Sequence, residues 1–379
     1  MPCASPPIRR IGILGGGQLG RMMGLAGIPL GLDFRFLDPG LNACAAVVGD
    51  LLNAGFSDIE AARELARSVD VATFDFENVP QETAEAFEEI CPLYPASDAL
   101  GACQDRLVEK TLLTDLGIGV ADYHAVAGRT DLLEGVERLG YPAVLKTRRL
   151  GYDGKGQVVL RDPEDLERAW QRLGGRELIL EAFVPFQAEC SLVGVRGHDG
   201  EERFWPLTRN VHDHGILALS RPGDFDAALQ AAAEDKVRRL LRHFDYRGVL
   251  TVEFFLRDGE LLANEIAPRV HNSGHWTIDG SSCSQFENHV RAVAGLPLGP
   301  TDLARHSLMF NWIGRLPDRE RMLAFSGLHW HEYGKEPRPG RKIGHATLTA
   351  ESRESLMETA VDVASAAGGD FLRLVESLD

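Results

Sequence analysis

Lys146-Thr-Arg-Arg-Leu-Gly151-Tyr-Asp-Gly154-Lys-Gly156-Gln157 lies between two apolar runs, Tyr141-Pro-Ala-Val-Leu145 and Gln157-Val-Val-Leu-Arg161. The pattern predicts a buried strand over residues 142–145 and a hairpin partner over residues 157–161, joined by a glycine-rich loop. Glycines at 151, 154 and 156 free the backbone to turn its N–H groups towards an anion, and Lys146 and Lys155 add charge. On glycine count alone, an ordinary flexible hairpin loop explains the stretch equally well.

A second cluster favours the anion site. In Gly248-Val-Leu-Thr-Val-Glu253-Phe-Phe-Leu-Arg-Asp-Gly259-Glu-Leu-Leu-Ala-Asn264-Glu265-Ile-Ala-Pro-Arg269, an Asp-Gly pair separates two apolar runs, as in an antiparallel hairpin. Pairing across that turn brings Glu253 and Glu265 together, with Asn264 beside them. Carboxylates among Val, Phe, Ile and Leu are costly without a neutralising cation. Magnesium fits, because it is held by one or two carboxylates and completed by substrate phosphates and water.

A strand-end lysine, a glycine-rich flap and two strands ending in Glu and Asn-Glu resemble the ATP-grasp superfamily. Gly151-Tyr-Asp-Gly-Lys-Gly-Gln157, Glu181-Ala-Phe-Val-Pro-Phe-Gln-Ala-Glu189 and Pro268-Arg-Val-His-Asn-Ser-Gly-His275 narrow the resemblance to the 5-(carboxyamino)imidazole ribonucleotide synthase family. The resemblance runs from about Ile11 to about Leu348. It implies a mixed α/β and α+β chain with an ATP-grasp fold. An N-terminal parallel α/β (pre-ATP-grasp) domain over residues 1–103 leads into an ATP-grasp domain over 104–296 and a small mixed-β C-terminal domain over 297–379. It also implies an ATP-grasp ligase that carboxylates 5-aminoimidazole ribonucleotide with bicarbonate in purine biosynthesis, with ATP as co-substrate, Mg2+ as cofactor and a homodimeric assembly.

Site roles follow from the same resemblance. ATP is expected at Arg106, Lys146, Gly151, Tyr152, Asp153, Gly154, Lys155, Gly156, Gln157, Glu181, Ala182, Phe183, Val184, Glu189, His212, Asn264 and Glu265. Glu253 and Glu265 are the expected metal ligands. Substrate binding is assigned to Gln18, Leu19, Glu77, Tyr152, His271, Asn272, Ser273, Lys335, Arg341 and Lys342, with His271, Asn272 and Ser273 beside Arg269 orienting a small oxygen-rich reactant and the late cations meeting the ribonucleotide's phosphate. Asp153, Lys155, Arg269 and Lys335 are the catalytic candidates, with Asp153 handling the amine proton. Read from the residues themselves, Arg106 is equally a solvated helix-start arginine, Asn78 a helix cap, and His212 an exposed histidine in a polar loop.

The N-terminal run Ile11-Gly-Ile-Leu14, Gly15-Gly-Gly17-Gln18-Leu19-Gly20 and a second strand ending at Asp38 also satisfy a dinucleotide fingerprint. A nicotinamide dehydrogenase is therefore the rival from another class, alongside a formate-using sibling ligase and a non-catalytic nucleotide sensor. Asp162-Pro163 predicts a capped helix, and residues 351–367 a terminal one.

The composition sets limits. The 379 residues carry a net charge of −16, with 44% hydrophobic and 25% charged residues, an ordinary globular balance that argues against nucleic acid as partner. No run approaches the roughly 18 apolar residues of a membrane span, and no signal-peptide core is evident. A cytoplasmic location is the expectation, and the six scattered cysteines fit reduced thiols. The cations Arg106, Lys146, Arg148, Arg149, Lys155, Arg269, Lys335, Arg338, Arg341 and Lys342 instead predict focused pockets for small anions.

Overall fold

A computed structural model describes residues 8–151 and 154–378. The N-terminal unit is a parallel sheet in the order Asp50–Asn53, Asp33–Asp38, Arg10–Leu14, Val71–Phe74. Alternation along its strands buries both faces. Ile11, Ile13, Phe34 and Phe36 face helix Gln18–Gly27, whereas Leu14, Leu37 and Phe74 face helices Ile59–Arg67 and Gln81–Glu88. Phe286 and Val290, from the much later helix Gln285–Val293, share the first core and dock the sheet onto the rest of the chain.

The first lobe is antiparallel, ordered Tyr123–Val126, Leu178–Ala182, Ala143–Thr147, Gln157–Leu160. Lys146 pairs with Gln157, so the glycine-rich loop closes the hairpin that the sequence predicts. The helix expected from Asp162-Pro163 begins later, at Asp165. The Asp162 carboxylate accepts the Glu164 N–H and that of Asp165 accepts the Arg161 N–H, which makes the Asp-Pro pair a turn before the helix.

The second lobe is a nine-stranded sheet. Its path runs Glu260–Ala267, Gly248–Arg257, Ala188–Arg196, Thr208–Asp213, Ile216–Pro222, His306–Ile313, Lys342–Ala350, Leu328–Glu332, with Glu202–Phe204 added on Ala188–Arg196. The strands beyond residue 297 join this sheet through Leu219 opposite Phe310 and Ser220 opposite Met309, rather than forming one of their own. Helix Ala227–His243 covers one end, and helices Arg353–Ala367 and Phe371–Glu376 cover the other. The last helix is absent from the sequence reading. His212 sits on strand Thr208–Asp213 rather than in a polar loop. Among the described residues, no helix is long and apolar enough to cross a membrane.

Candidate active site between the two lobes

The flap is anchored at its root and rests at its tip. Asp105 caps helix Arg106–Asp115, and its carboxylate also takes Arg148 at 2.9 and 2.8 Å and Arg149 at 3.2 Å. Two of the cations assigned to anion pockets are thus partnered at the flap root. Gly154 and Gly156 have φ of +72° and +75°, values that glycine adopts without strain. A Cβ on Gly154 would lie 3.4 Å from the Gly215 Cα, so the flap tip lies against the His214-Gly215 turn of the opposite lobe. Tyr152 and Asp153 lie outside the described residues.

Beneath the flap runs a chain of buried charges. Lys146 Nζ donates to Glu181 Oε2 at 2.9 Å, and the fully buried Lys110 stands 3.6 Å from the same oxygen. Burial alone would raise the Glu181 carboxyl, but Lys146 and Lys110 more than reverse it, to about 2. Its other oxygen, Oε1, is buried with no hydrogen-bond partner among the described residues. An unmatched acceptor here suits a ligand amine. The linker that follows spends the Ala182 and Phe183 N–H groups on Asp122 and Pro142, with Val184 buried and the Phe183 ring half exposed.

Glu181→Gln is expected to destabilise the protein by about 3 kcal/mol at pH 7, because it leaves two buried ammonium groups without their counter-charge. A depressed carboxyl stabilises above its unfolded value and loses that contribution as pH falls towards 2. The gap between the thermal melts of wild type and variant should therefore narrow to roughly half or less between pH 7 and pH 3. An equal gap at both pH values would contradict the ion-pair account.

Glu253 and Glu265 stand opposite one another in register. The Asp258-Gly259 turn, with φ of +52° and +81°, starts the pairing at Arg257 with Glu260. Continued regularly, that register would set Asn264 against Glu253. A bulge at Asn264 shifts it by one and brings Glu265 across. Burial, then the charge of Glu265, push the Glu253 carboxyl up to about 7. This like-charge pair suits a divalent cation completed by ligand oxygens. Among the described residues no group of three or more metal-ligating side chains occurs.

Helix Arg106–Asp115 grips this bulge. Arg106 lies 3.7 Å from Glu265 and donates to the Gly151 carbonyl at 3.3 Å, linking flap and carboxylate. Lys110 Nζ donates to the carbonyls of Ala263 and Asn264, at 3.2 and 2.9 Å, and the Ile266 N–H donates to Glu109 Oε1 at 2.6 Å. Glu109 and Lys110 escape the sequence reading. No local signal marks them, because the helix is inverted, with Glu109 and Lys110 buried and Val108 exposed.

The remaining candidates converge on the same carboxylates. His212 Nδ1 is 2.9 Å from Glu189, and burial lowers its imidazolium, but Glu189 and Glu253 together more than reverse this. His271 Nε2 lies 3.2 Å from Glu253, and burial with nearby Arg269 and Lys342 keeps it neutral. Ser273 is fully buried, its hydroxyl tied to Ser191 and His271, so it holds His271 from behind. Asn272 exchanges two hydrogen bonds with Asn311, at 3.0 and 2.7 Å. Gln157 pairs with Lys146 at the flap's far root.

The N-terminal sheet supplies the other wall. Arg269 pairs with Glu77 at 2.7 Å, and Lys335 donates to Gln18 across 317 positions of sequence. The Leu19 side chain packs into the core, which leaves only its backbone to meet a ligand. Arg21 donates to the Tyr333 carbonyl at 2.9 Å and fixes the base of the cationic segment, whose Arg341 donates to the Glu336 carbonyl at 3.3 Å. Lys342 begins the next strand, close enough to bear on Glu253, His212 and His271.

This geometry removes the dinucleotide reading. Both Asp38 carboxylate oxygens are already engaged by the chain's own backbone, accepting the N–H groups of Gly16 at 2.8 Å and Gly40 at 2.7 Å. The buried Asp75 carboxylate fills the turn, where a Cβ on Gly17 would lie 2.7 Å from its Oδ2. A pyrophosphate at that helix N-terminus would meet the chain's own acid. Burial raises the Asp75 carboxyl, while Gly20, Lys335, Arg269 and Gly17 act against it. Asp75 was invisible in the sequence, where nothing links it to residues 17 and 20.

Comparison with known proteins agrees with the geometry. Residues 8–104 match the ribonucleotide synthetase preATP-grasp domain, 111–286 the ATP-grasp domain and 307–359 the phosphoribosylaminoimidazole carboxylase C-terminal domain. N5-carboxyaminoimidazole ribonucleotide synthase from Pseudomonas aeruginosa is 53% identical over 93% of this chain and 98% of that protein. The N5-carboxyaminoimidazole ribonucleotide synthetase crystal structure from Thermus thermophilus superposes with a TM-score of 0.91 at 50% identity, covering 95% of this chain and 99% of that one. The Aspergillus clavatus synthase, solved with ADP and 5-aminoimidazole ribonucleotide, gives a TM-score of 0.88 at 30% identity over 95% of this chain and 99% of that one. The chain belongs to the N5-carboxyaminoimidazole ribonucleotide synthase family of ATP-grasp ligases.

Proposed function

We propose that the chain uses ATP and bicarbonate to carboxylate 5-aminoimidazole ribonucleotide, giving 5-(carboxyamino)imidazole ribonucleotide, ADP and phosphate in purine biosynthesis. The observation that carries this reading is the Glu253–Glu265 pair facing each other beside the Arg106 bridge to the flap. In this reading Glu181 Oε1 accepts the adenine amine, and Glu189 with His212 holds the ribose. Lys146, Lys155 and the flap N–H groups take the phosphates. Glu253 and Glu265 would hold magnesium, which when bound spreads charge over the phosphoryl oxygens.

Bicarbonate attacks the γ-phosphorus through one of its oxygens, ADP leaves, and carboxyphosphate forms. That species hydrolyses in water, so the flap seated on His214-Gly215 has a protective role. Arg269, His271 and Asn272 orient the bicarbonate, with Ser273 behind them. Gln18, Glu77, Lys335, Arg341 and Lys342 hold the ribonucleotide, the cations meeting its phosphate. Its amine then attacks the carboxyl carbon of carboxyphosphate, the C–O bond to the phosphorus-bound oxygen breaks so that phosphate leaves, and the amine proton passes to Asp153, with Lys335 as the second candidate. Burial lowers the Lys335 ammonium, which suits a group that exchanges protons. The described cysteines are all free, which supports a cytoplasmic setting, and we extend the family expectation to a homodimer with functional units at 1–103, 104–296 and 297–379.

The test is phosphate release by the purified protein, omitting ATP, bicarbonate and 5-aminoimidazole ribonucleotide in turn. Full release is expected only with all three, and formate should not replace bicarbonate. Saturable NADH binding without nucleotide-triphosphate turnover would overturn the proposal.

A further inference from the structure

Helix Gln285–Val293 has no part in the proposed chemistry, yet it is fastened to several elements that supply the site. Its first residue, Gln285, is fully buried and holds both backbone polar groups of His271. Oε1 accepts the His271 N–H at 2.9 Å, and Nε2 donates to the His271 carbonyl at 2.6 Å. With one donor and one acceptor as partners, the amide has a single fitting orientation. Gly274 leaves room for it, since a Cβ there would lie 2.8 Å from both Cδ and Oε1 of Gln285. The Gly274 backbone lies outside the left-handed region, so space rather than conformation requires glycine here. Thr277 closes the same turn, its hydroxyl donating to the Gly274 carbonyl at 2.6 Å and accepting the Gln285 N–H at 3.0 Å. The His271 ring, held in this way from behind, stands 3.2 Å from Glu253.

One turn further along, the buried His289 makes two more ties. Its Nδ1 accepts the Val249 N–H at 3.0 Å, which leaves Nε2 to donate to Thr73 Oγ1 at 2.7 Å. Val249 lies on the strand that carries Glu253, and Thr73 on the strand that leads to Glu77. Val290 packs into the core shared with helix Gln18–Gly27. A single helix thus mounts the His271 turn and the N-terminal wall on one frame. We propose that Gln285 is a positioning residue, which sets the place where carboxyphosphate forms against the place where the ribonucleotide amine waits. The inference rests on the reading of residues 269–273 as the bicarbonate loop. With the loop held, the amine attacks the carboxyl carbon and phosphate leaves. With the loop loosened, water attacks carboxyphosphate instead, returning bicarbonate and phosphate, so ATP is consumed and no carbon is fixed.

The test compares initial rates of phosphate release and of carbon fixed from radiolabelled bicarbonate, quenched in alkali to preserve the carbamate. Gln285→Met keeps the length of the side chain and removes both hydrogen bonds. Gly274→Ala displaces the amide from outside, and it decides the matter if the first variant does not fold. Asn288 supplies the control, because its amide on the same helix holds the Gly299 N–H at 2.7 Å and the Gly299 carbonyl at 3.1 Å, in a loop with no site residue. Asn288→Leu should melt lower than wild type and still release one phosphate per carbon fixed. Gln285→Met and Gly274→Ala should release at least about three, with carbon fixation slower by roughly tenfold or more and the KM for ATP within about twofold of wild type. One phosphate per carbon in both variants overturns the proposal. So does an equal excess in Asn288→Leu, or a rise in the KM for ATP as large as the loss of fixation. No phosphate release by the wild type would instead overturn the bicarbonate reading.

Discussion

Glu265→Gln is expected to lower ATP-dependent carboxylation by on the order of a thousandfold while leaving the fold intact. Glu265 is the half-exposed member of the facing pair, and its charge raises both Glu253 and Glu109. Neutralising it relieves repulsion, so the ligand-free variant should melt no lower than wild type, and its weak 3.7 Å contact to Arg106 contributes little against this. Lost turnover with retained or higher thermal stability separates a ligand-binding role from a structural one. The variant should also lose the stabilisation that wild type gains from ATP with magnesium. Near-normal turnover would remove Glu265 from the account.

Lys335→Met should cut kcat/KM for 5-aminoimidazole ribonucleotide by roughly a hundredfold or more, while the KM for ATP changes little. The lysine lies against Gln18 and near Asp75, on the wall built from the N-terminal sheet and away from the Lys146–Glu181 pair. Because its ammonium is lowered by burial, removing it leaves a half-buried cavity rather than a broken ion pair, and the thermal midpoint should hold. Steady-state kinetics with each substrate varied in turn checks this. A rise in the KM for ATP as large as that for the ribonucleotide would place Lys335 in the other pocket.

Local signals in the sequence carried the elements, and long-range pairing decided the rest. The flap hairpin was legible because apolar runs flank three glycines, and the Glu hairpin because Asp258-Gly259 demands positive φ at both positions. The bulge was not, since a regular continuation would pair Glu253 with Asn264. The approach of the two glutamates was therefore foreseen, but not the residue that adjusts it. Glu109 and Lys110 were hidden because a helix turns them inward onto a strand about 150 positions away, Lys110 onto two carbonyls and Glu109 onto an N–H. Asp75 was hidden for the same reason, and with it the physical ground for setting the dinucleotide fingerprint aside.

Carboxylation here depends on bicarbonate being phosphorylated within a closed site, and oxygen tracing tests that directly. With 18O-labelled bicarbonate, ATP, magnesium and 5-aminoimidazole ribonucleotide, one bicarbonate oxygen should appear in each phosphate released, because the oxygen that attacks phosphorus departs with it. Mass spectrometry of the phosphate at low conversion reads this. Phosphate carrying label from bicarbonate agrees with the account; product formed with phosphate labelled only from solvent water contradicts it.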